Sequence, residues 1–298
     1  MNNIKNIYEF LLWANCGNNC KFCWQKHLNQ KDKFLNEQQK LDSLRAVKHF
    51  LSGNNYENGN HVLLVGGELF DTKKTPDFCL FLEFIIDKMC AKEIDLLYIN
   101  TNLIYEDLDS LSFLLDLVEK NNLFQKLKFT TSFDIYGRFT NKDRQTLMLN
   151  NLQIIKRKYP DINIVVNIIL TKQACDAILS KQFSVAGFME YYNVDVNTIP
   201  YIVLTDDMAA DKQKIFKTLL SLNEEIPGYL QRYVANFDLP QKKLLYEYAS
   251  GDINDLVFCS SEDDSECGHS VNFKKYSIEQ DSCFVCDIKK LLRMIEDA

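Results

Sequence analysis

Short apolar segments alternate with amphipathic segments along most of this chain. The apolar segments are rich in Val, Ile, Leu and aromatic residues, which is typical of strands in a buried sheet. The segments between them carry apolar residues at helical spacing. We predict strands at 8–14, 61–65, 96–99, 127–131, 162–170 and 194–199, and helices at 37–51, 75–89, 107–119, 140–159, 171–181 and 207–222. This alternation favours a parallel sheet with right-handed crossover connections, and therefore an α/β fold.

Polar or reactive residues follow most of the predicted strands. In parallel α/β folds the carboxyl ends of the strands meet at one edge of the sheet, where function gathers. In strand order, these residues are Cys16, Cys20 and Cys23, then Gly66, Gly67 and Glu68, then Thr101 and Asn102, and then Ser132 and Asp134, while Asn167 lies near the end of the fifth strand. We therefore expect one functional site at this edge.

Cys16, Cys20 and Cys23 have the spacing C-x3-C-x2-C, directly after the first predicted strand. Thiolates this close in sequence can converge on one metal ion or cluster. Three ligands leave one coordination position open in a tetrahedral zinc site or in a four-iron cluster, and an open position is where chemistry takes place. The alternative is a structural zinc site that a remote Cys or His completes.

The composition is that of an ordinary globular protein, with 46% hydrophobic and 25% charged residues among 298. No apolar run approaches the length of a membrane span, and the amino terminus lacks the apolar core of a secretory signal. We therefore expect a cytoplasmic protein without a membrane partner, in which clustered cysteines bind metal rather than form disulfides. A net charge of -7 argues against a protein that binds long nucleic acid through its phosphates.

Together these motifs resemble the radical S-adenosylmethionine (radical SAM) superfamily. The resemblance rests on the three-cysteine loop, on the Gly-Gly-Glu segment after the second strand and on the Thr-Asn pair after the third. The family's third motif continues with glycine, whereas Leu103 follows here. The resemblance implies a partial (β/α)6 TIM-like barrel over residues 1–225, followed by a cysteine-containing extension over 226–298.

The resemblance also implies roles for the residues at the strand ends. Cys16, Cys20 and Cys23 would hold a 4Fe–4S cluster whose fourth iron is chelated by S-adenosylmethionine, and Glu68 would bind the methionyl amine. The remaining cofactor contacts implied by the family pattern are Phe22, Gly66, Gly67, Thr101, Asn102, Ser132, Asp134 and Asn167.

The extension contains a predicted helix at 241–249 and four further cysteines, Cys259, Cys267, Cys283 and Cys286. Four thiols within a short segment predict a second metal centre. It resembles, loosely, the auxiliary-cluster extensions of SPASM or twitch type. A zinc ion held by all four cysteines is the main alternative, and unligated cysteines are the third.

The resemblance implies an enzyme that reductively cleaves S-adenosylmethionine to a 5′-deoxyadenosyl radical, which abstracts hydrogen from a substrate. An auxiliary cluster favours a peptide or protein side chain as that substrate, although a small molecule such as a nucleotide, or a nucleic-acid base, is the alternative. A reducing partner such as flavodoxin or ferredoxin is implied as well. A non-catalytic metal-binding module is the third hypothesis, and it predicts no cleavage of S-adenosylmethionine.

Overall fold

The structure is a computed structural model. It describes residues 6–13, 15–16, 18, 20, 35–53, 60–71, 74–136, 142–200, 210–235, 242–247 and 252–257. Strands and helices alternate through these residues as far as the sixth strand and the helix after it. The predicted α/β class is confirmed.

The strands of the described residues form a single sheet in the order β6-β5-β4-β3-β2-β1-β7-β8. Their bounds are β1 (Asn6–Leu11), β2 (Asn60–Val65), β3 (Leu96–Asn100), β4 (Leu127–Phe133), β5 (Asn163–Leu170), β6 (Asp195–Pro200), β7 (Lys242–Glu247) and β8 (Asp252–Val257). From β1 to β6 each strand pairs in parallel with the next one along the chain. The sheet formed by the described strands is open, with β6 and β8 at its two edges. Such a six-stranded parallel array is consistent with a partial α/β barrel.

Six of the helices among the described residues correspond to predicted helices. The helices are α1 (Glu37–Gly53), α2 (Pro76–Cys90), α3 (Asp109–Lys120), α4 (Lys142–Lys158), α5 (Lys172–Leu179), α6 (Val185–Tyr192), α7 (Lys212–Glu225) and α8 (Tyr229–Ala235). The Oγ1 atoms of Thr75 and Thr171 cap α2 and α5, accepting hydrogen bonds from the backbone N–H groups of Phe78 and Ala174. The two caps place the starts of α2 and α5 at Pro76 and Lys172, next to the predicted helix starts at 75 and 171. Two helices were not predicted: α6, which Ser184 caps, and α8.

The prediction of a helix at 241–249 is wrong. Residues Lys242–Glu247 form β7, which pairs in parallel with β1, and β8 then pairs antiparallel with β7. Lys, Leu and Glu favour helices in isolation, but the free edge of β1 offers unpaired backbone N–H and C=O groups to a strand. Tertiary pairing therefore overrides local propensity, and part of the predicted extension continues the main sheet.

The two faces of the sheet differ in how completely they are covered. On β4, Leu127, Phe129 and Phe133 are buried, while Lys128 and Ser132 between them are half-buried. Side chains alternate between the two faces of a strand, so one face is packed and the other is partly open. Ser132 lies on the partly open face, which leaves it accessible to a ligand.

In the part of the chain that the structure describes, no helix combines the length and the apolar character needed to cross a membrane.

Candidate functional site

The chain after β1 is tied to the chain after β2 by a series of backbone hydrogen bonds. The N–H of Gly67 donates to the carbonyl oxygen of Trp13 at 2.5 Å, and the N–H of Glu68 donates to that of Asn15 at 2.7 Å. In the reverse direction, Nε1 of Trp13 donates to the carbonyl oxygen of Glu68 at 3.3 Å. The start of the cysteine loop and the Gly-Gly-Glu segment are therefore adjacent at the carboxyl edge of the sheet.

Gly66 makes this close approach possible. Its φ is +137°, a backbone conformation that residues with side chains rarely adopt. A Cβ atom at this position would collide with the backbone oxygen of Trp13. This glycine is required by the contact between two segments of the chain, a reason that the sequence motif alone did not reveal.

Glu68 is fully buried, with 0% of its surface exposed, and its carboxylate is surrounded by donors from its own chain. Oε2 accepts from the backbone N–H of Asn102 at 2.6 Å, and Oε1 accepts from that of Phe70 at 3.3 Å. The hydroxyl of Thr101 donates to the carboxylate, and the hydroxyl of Tyr105 forms a short hydrogen bond to Oε1. The turn after β2 is thereby held against the loop after β3.

Burial raises the pKa of Glu68 to about 7, although hydrogen bonds from Tyr105 and from the backbone of Asn102 partly oppose the rise. The pKa of Tyr105 is raised well above its usual value, first by burial and then by the neighbouring charge of Glu68. The proton between these two oxygens therefore belongs to Tyr105, which acts as the donor. In this arrangement a ligand ammonium reaches the carboxylate only if one of the internal donors moves aside.

Asn102 links the group of hydrogen-bonded residues around Glu68 (Thr101, Asn102 and Tyr105), here called the Glu68 cluster, to the cysteine loop. Its Nδ2 lies 3.6 Å from Sγ of Cys16, within the range of an N–H···S hydrogen bond. Cys16 is half-buried and Cys20 is 7% exposed. Burial raises the pKa of Cys16, and the charges of Glu68 and Cys20 add to this effect, whereas the backbone N–H of Asn18 and the amide of Asn102 oppose it. Cys16 therefore lies within electrostatic range of both Glu68 and Cys20.

The ends of the segment that carries the cysteines are held as well. Asn15 donates through Nδ2 to the carbonyl oxygen of Leu35 at 2.9 Å, and the N–H of Leu35 donates back to Oδ1 at 2.7 Å. From α4, Nη1 of Arg144 donates to Oδ1 of Asn18 at 2.7 Å. The first and last described residues of this segment therefore lie together beside β1.

The thiols of Cys16 and Cys20 are soft donors that suit either an iron–sulfur cluster or zinc. Among the described residues no three metal-ligating side chains converge. The third predicted ligand, Cys23, and the predicted cover residue, Phe22, lie outside those residues, as do Cys259, Cys267, Cys283 and Cys286. The donor chemistry that the structure does describe fits the predicted cluster.

No protein-family model matches the chain, and no curated protein matches it. The site is therefore interpreted from its own residues and geometry.

Leu103 replaces the glycine of the resembled motif but keeps a backbone conformation typical of glycine. Its φ is +56°, in the left-handed region. The residue is 1% exposed, its N–H donates to Oγ1 of Thr101, and its carbonyl accepts from Nδ2 of Asn151 at 3.0 Å. Burial and hydrogen bonding thus offset the cost of about 1–2 kcal/mol that a side chain incurs in this region.

Ser132 and Asn167, the predicted ribose contacts, form a row with a third polar residue. Ser132 on β4 pairs in register with Asn167 on β5, which pairs with Asn197 on β6. All three are half-buried. Among the described residues no hydrogen bond joins Ser132 or Asn167 to the Glu68 cluster. Asp134, directly after β4, is 1% exposed, and its Oδ1 accepts from the N–H of Tyr136 at 3.2 Å.

Sequence analysis missed Tyr105, Trp13 and Asn197 as site residues. Tyr105 follows the third strand by several positions and belongs to no spacing pattern. Asn197 had a usable signal, since it occupies the position on the sixth strand that corresponds to Asn167 on the fifth. A rule that aligns neighbouring parallel strands by their carboxyl ends finds it.

Proposed function

We propose that this chain is a radical S-adenosylmethionine enzyme that binds a 4Fe–4S cluster through Cys16, Cys20 and Cys23. The observation that supports this best is the meeting of three sequence motifs at Asn102. The side chain of Asn102 donates to Cys16, and its backbone N–H donates to Glu68. The cysteine loop, the Gly-Gly-Glu segment and the Thr-Asn pair are far apart in sequence, and the resemblance requires them at one site.

When bound, the cluster and S-adenosylmethionine supply reductive cleavage to methionine and a 5′-deoxyadenosyl radical, and with it hydrogen-atom abstraction from the substrate. The chain supplies binding, orientation and exclusion of water. Glu68 and Cys20 are buried, so the edge beside β1 and β2 offers a poorly hydrated environment. The hydroxyl of Tyr105 keeps its proton and holds the carboxylate of Glu68 in place.

We assign the partly open face of β4, β5 and β6 to the rest of the ligand. Ser132, Asn167 and Asn197 lie in one row, and their side chains make no hydrogen bond among the described residues. Hydroxyl and amide groups donate and accept, as a ribose or a peptide group also does. We propose a peptide or protein side chain as substrate, with a flavodoxin- or ferredoxin-type protein as reductant. This part rests on the predicted second metal centre at Cys259, Cys267, Cys283 and Cys286.

Anaerobic reconstitution with iron and sulfide, followed by reduction in the presence of S-adenosylmethionine, tests the proposal. We expect a broad visible absorption shoulder and the formation of 5′-deoxyadenosine. Replacing Cys16, Cys20 and Cys23 together by Ala should abolish the product. Cys90→Ala is the matched control, because Cys90 is an exposed thiol at the end of α2. Undiminished 5′-deoxyadenosine from the triple variant, or none from the wild type, contradicts the proposal; in the second case a zinc site or a non-catalytic module is favoured.

A further inference from the structure

The orientation of the Asn102 side-chain amide is fixed by its surroundings. Its Oδ1 accepts from the backbone N–H of Ile104 at 2.7 Å. A backbone N–H group donates to an oxygen and not to an NH2 group, so this hydrogen bond identifies which terminal atom of the Asn102 amide is Oδ1 and which is Nδ2. The NH2 group must therefore face Sγ of Cys16. With 6% of its surface exposed, Asn102 has little freedom to turn away.

The backbone of Asn102 is held independently of its side chain. Its N–H donates to Oε2 of Glu68 at 2.6 Å, a hydrogen bond to a carboxyl group in a fully buried position. The amide dipole therefore points at the sulfur before any metal binds, and no reorganisation is needed when charge develops there.

An N–H group directed at a ligand sulfur stabilises negative charge on that sulfur. Hydrogen bonds to the sulfurs are among the features that set the reduction potential of an iron–sulfur cluster. The reduced cluster carries one more negative charge than the oxidised cluster, so a donor stabilises the reduced form more and raises the potential. The residue that supplies the donor acts through a ligand, as other outer partners of metal sites do.

We propose that Asn102 is a positioning residue that holds Cys16 and raises the reduction potential of the cluster bound there. The inference rests on the proposed function, since it requires a redox-active cluster at Cys16. The step it affects is the transfer of one electron from a low-potential protein reductant to that cluster, in which no covalent bond is made or broken. Asn102 makes this transfer more favourable for a given reductant.

Two substitutions separate the amide donor from the other contacts of Asn102. Asn102→Ser retains an oxygen that can accept from Ile104 but is too short to reach the sulfur. Asn102→Asp retains the shape and the acceptor but places a carboxylate oxygen where the NH2 group faced Cys16. Asn100→Ser is the matched control, because Asn100 is two residues away and its side chain accepts from Thr130 instead of contacting a cysteine.

The measurement is a redox titration of each reconstituted protein without S-adenosylmethionine, followed by electron paramagnetic resonance, with the iron content determined in parallel. We expect a lower midpoint potential in Asn102→Ser, a still lower one in Asn102→Asp, and the wild-type value in Asn100→Ser. If Asn102→Asp fails to take up iron, Asn102→Ser decides alone.

If Asn102→Ser has full iron content and the midpoint potential of the wild type, Asn102 does not set the reduction potential of the cluster. The proposed function is then unaffected. A wild-type protein that holds no redox-active cluster overturns both. Equal shifts in Asn102→Ser and Asn100→Ser also overturn the inference, since the effect then comes from general disturbance of the loop.

Discussion

The backbone N–H of Asn102 donates to Oε2 of Glu68 at 2.6 Å, and this hydrogen bond joins the loops that follow the second and third strands. Glu68 also holds the hydroxyls of Thr101 and Tyr105, which belong to the same loop as Asn102. The carboxylate of Glu68 thus holds the loop after the third strand against the turn after the second strand. The first two predictions concern this group.

We expect Glu68 to make the metal-free protein less stable as the pH rises. Its pKa of about 7 in the folded protein lies above its usual value of 4.5, so the folded state binds the proton more tightly. The resulting stabilisation is fully present below pH 4.5 and is lost as the pH rises through 7. The loss is on the order of 3 kcal/mol. Denaturant unfolding gives the free energies of unfolding of the wild type and of Glu68→Gln from pH 5 to 8. Their difference reports the contribution of Glu68, because the contributions of the other titrating groups are shared by both proteins and cancel. A difference that does not change with pH contradicts the prediction.

The second prediction concerns ligand binding. If Glu68 contacts the methionyl ammonium, Glu68→Gln removes a charge-assisted hydrogen bond of roughly 1.5–3 kcal/mol. The affinity for S-adenosylmethionine then falls by about one to two decades. Calorimetric titration of the reconstituted variant checks this, with iron content as the control for an intact cluster. Unchanged affinity would mean that the carboxylate only braces the loops that surround it.

Gly66→Ala should destabilise the protein by about 1–3 kcal/mol, because an alanine at φ +137° is strained and its Cβ meets the backbone of Trp13. Gly53→Ala, at the end of α1, is the control. Its Cβ meets nothing within 4 Å, so we expect a change within about 1 kcal/mol. Thermal unfolding of both variants provides the comparison. Equal stabilities would show that Gly66 is not sterically constrained.

At position 103 we expect a glycine variant to be more stable than an alanine variant, the reverse of the usual order. Both Leu103→Ala and Leu103→Gly lose a buried side chain, at a cost of about 2–5 kcal/mol. Glycine, however, relieves the left-handed backbone at φ +56°, whereas alanine does not. Leu103→Gly should therefore be the more stable of the two by about 1 kcal/mol. Urea unfolding of the pair tests this, and a more stable alanine variant would refute it.

The last prediction is a metal centre at Cys259, Cys267, Cys283 and Cys286. In the protein with Cys16, Cys20 and Cys23 replaced by Ala, an auxiliary iron–sulfur cluster should leave about four irons per chain. A zinc site should leave about one zinc and no colour. Elemental analysis distinguishes the two. The presence of neither metal would identify these residues as ordinary cysteines, and the argument for a peptide substrate would be lost with them.

The parts of the fold that depend on local sequence were predictable. The caps at Thr75 and Thr171 need only a hydroxyl and a backbone N–H a few residues away. Strands β1 to β6 follow from short-range hydrophobic patterns. The strand at Lys242–Glu247 was not predictable, because its partner is β1, near the opposite end of the chain. No local pattern encodes that pairing.

In the candidate site, the sequence motifs predicted which strand ends carry polar groups but not how those groups pair. Tyr105 donates to Glu68 because the loop after β3 turns back at Leu103, and that turn has no sequence signature. The steric reason for Gly66 likewise depends on the position of Trp13. Contacts between loops are set by the assembled sheet, so they became visible only in the structure.

The pairing of β7 with β1 has a consequence for the order of events during synthesis. β1, which leads into the cysteine loop, leaves the ribosome before β7, which pairs with the edge of β1 that β2 does not occupy. Until β7 has been synthesised, that edge of β1 therefore carries unpaired backbone groups. Since chains fold from the amino terminus as they emerge, the sheet from β1 to β6 can assemble before β7 covers this edge, and during that interval the edge of β1 is open to pairing with another strand.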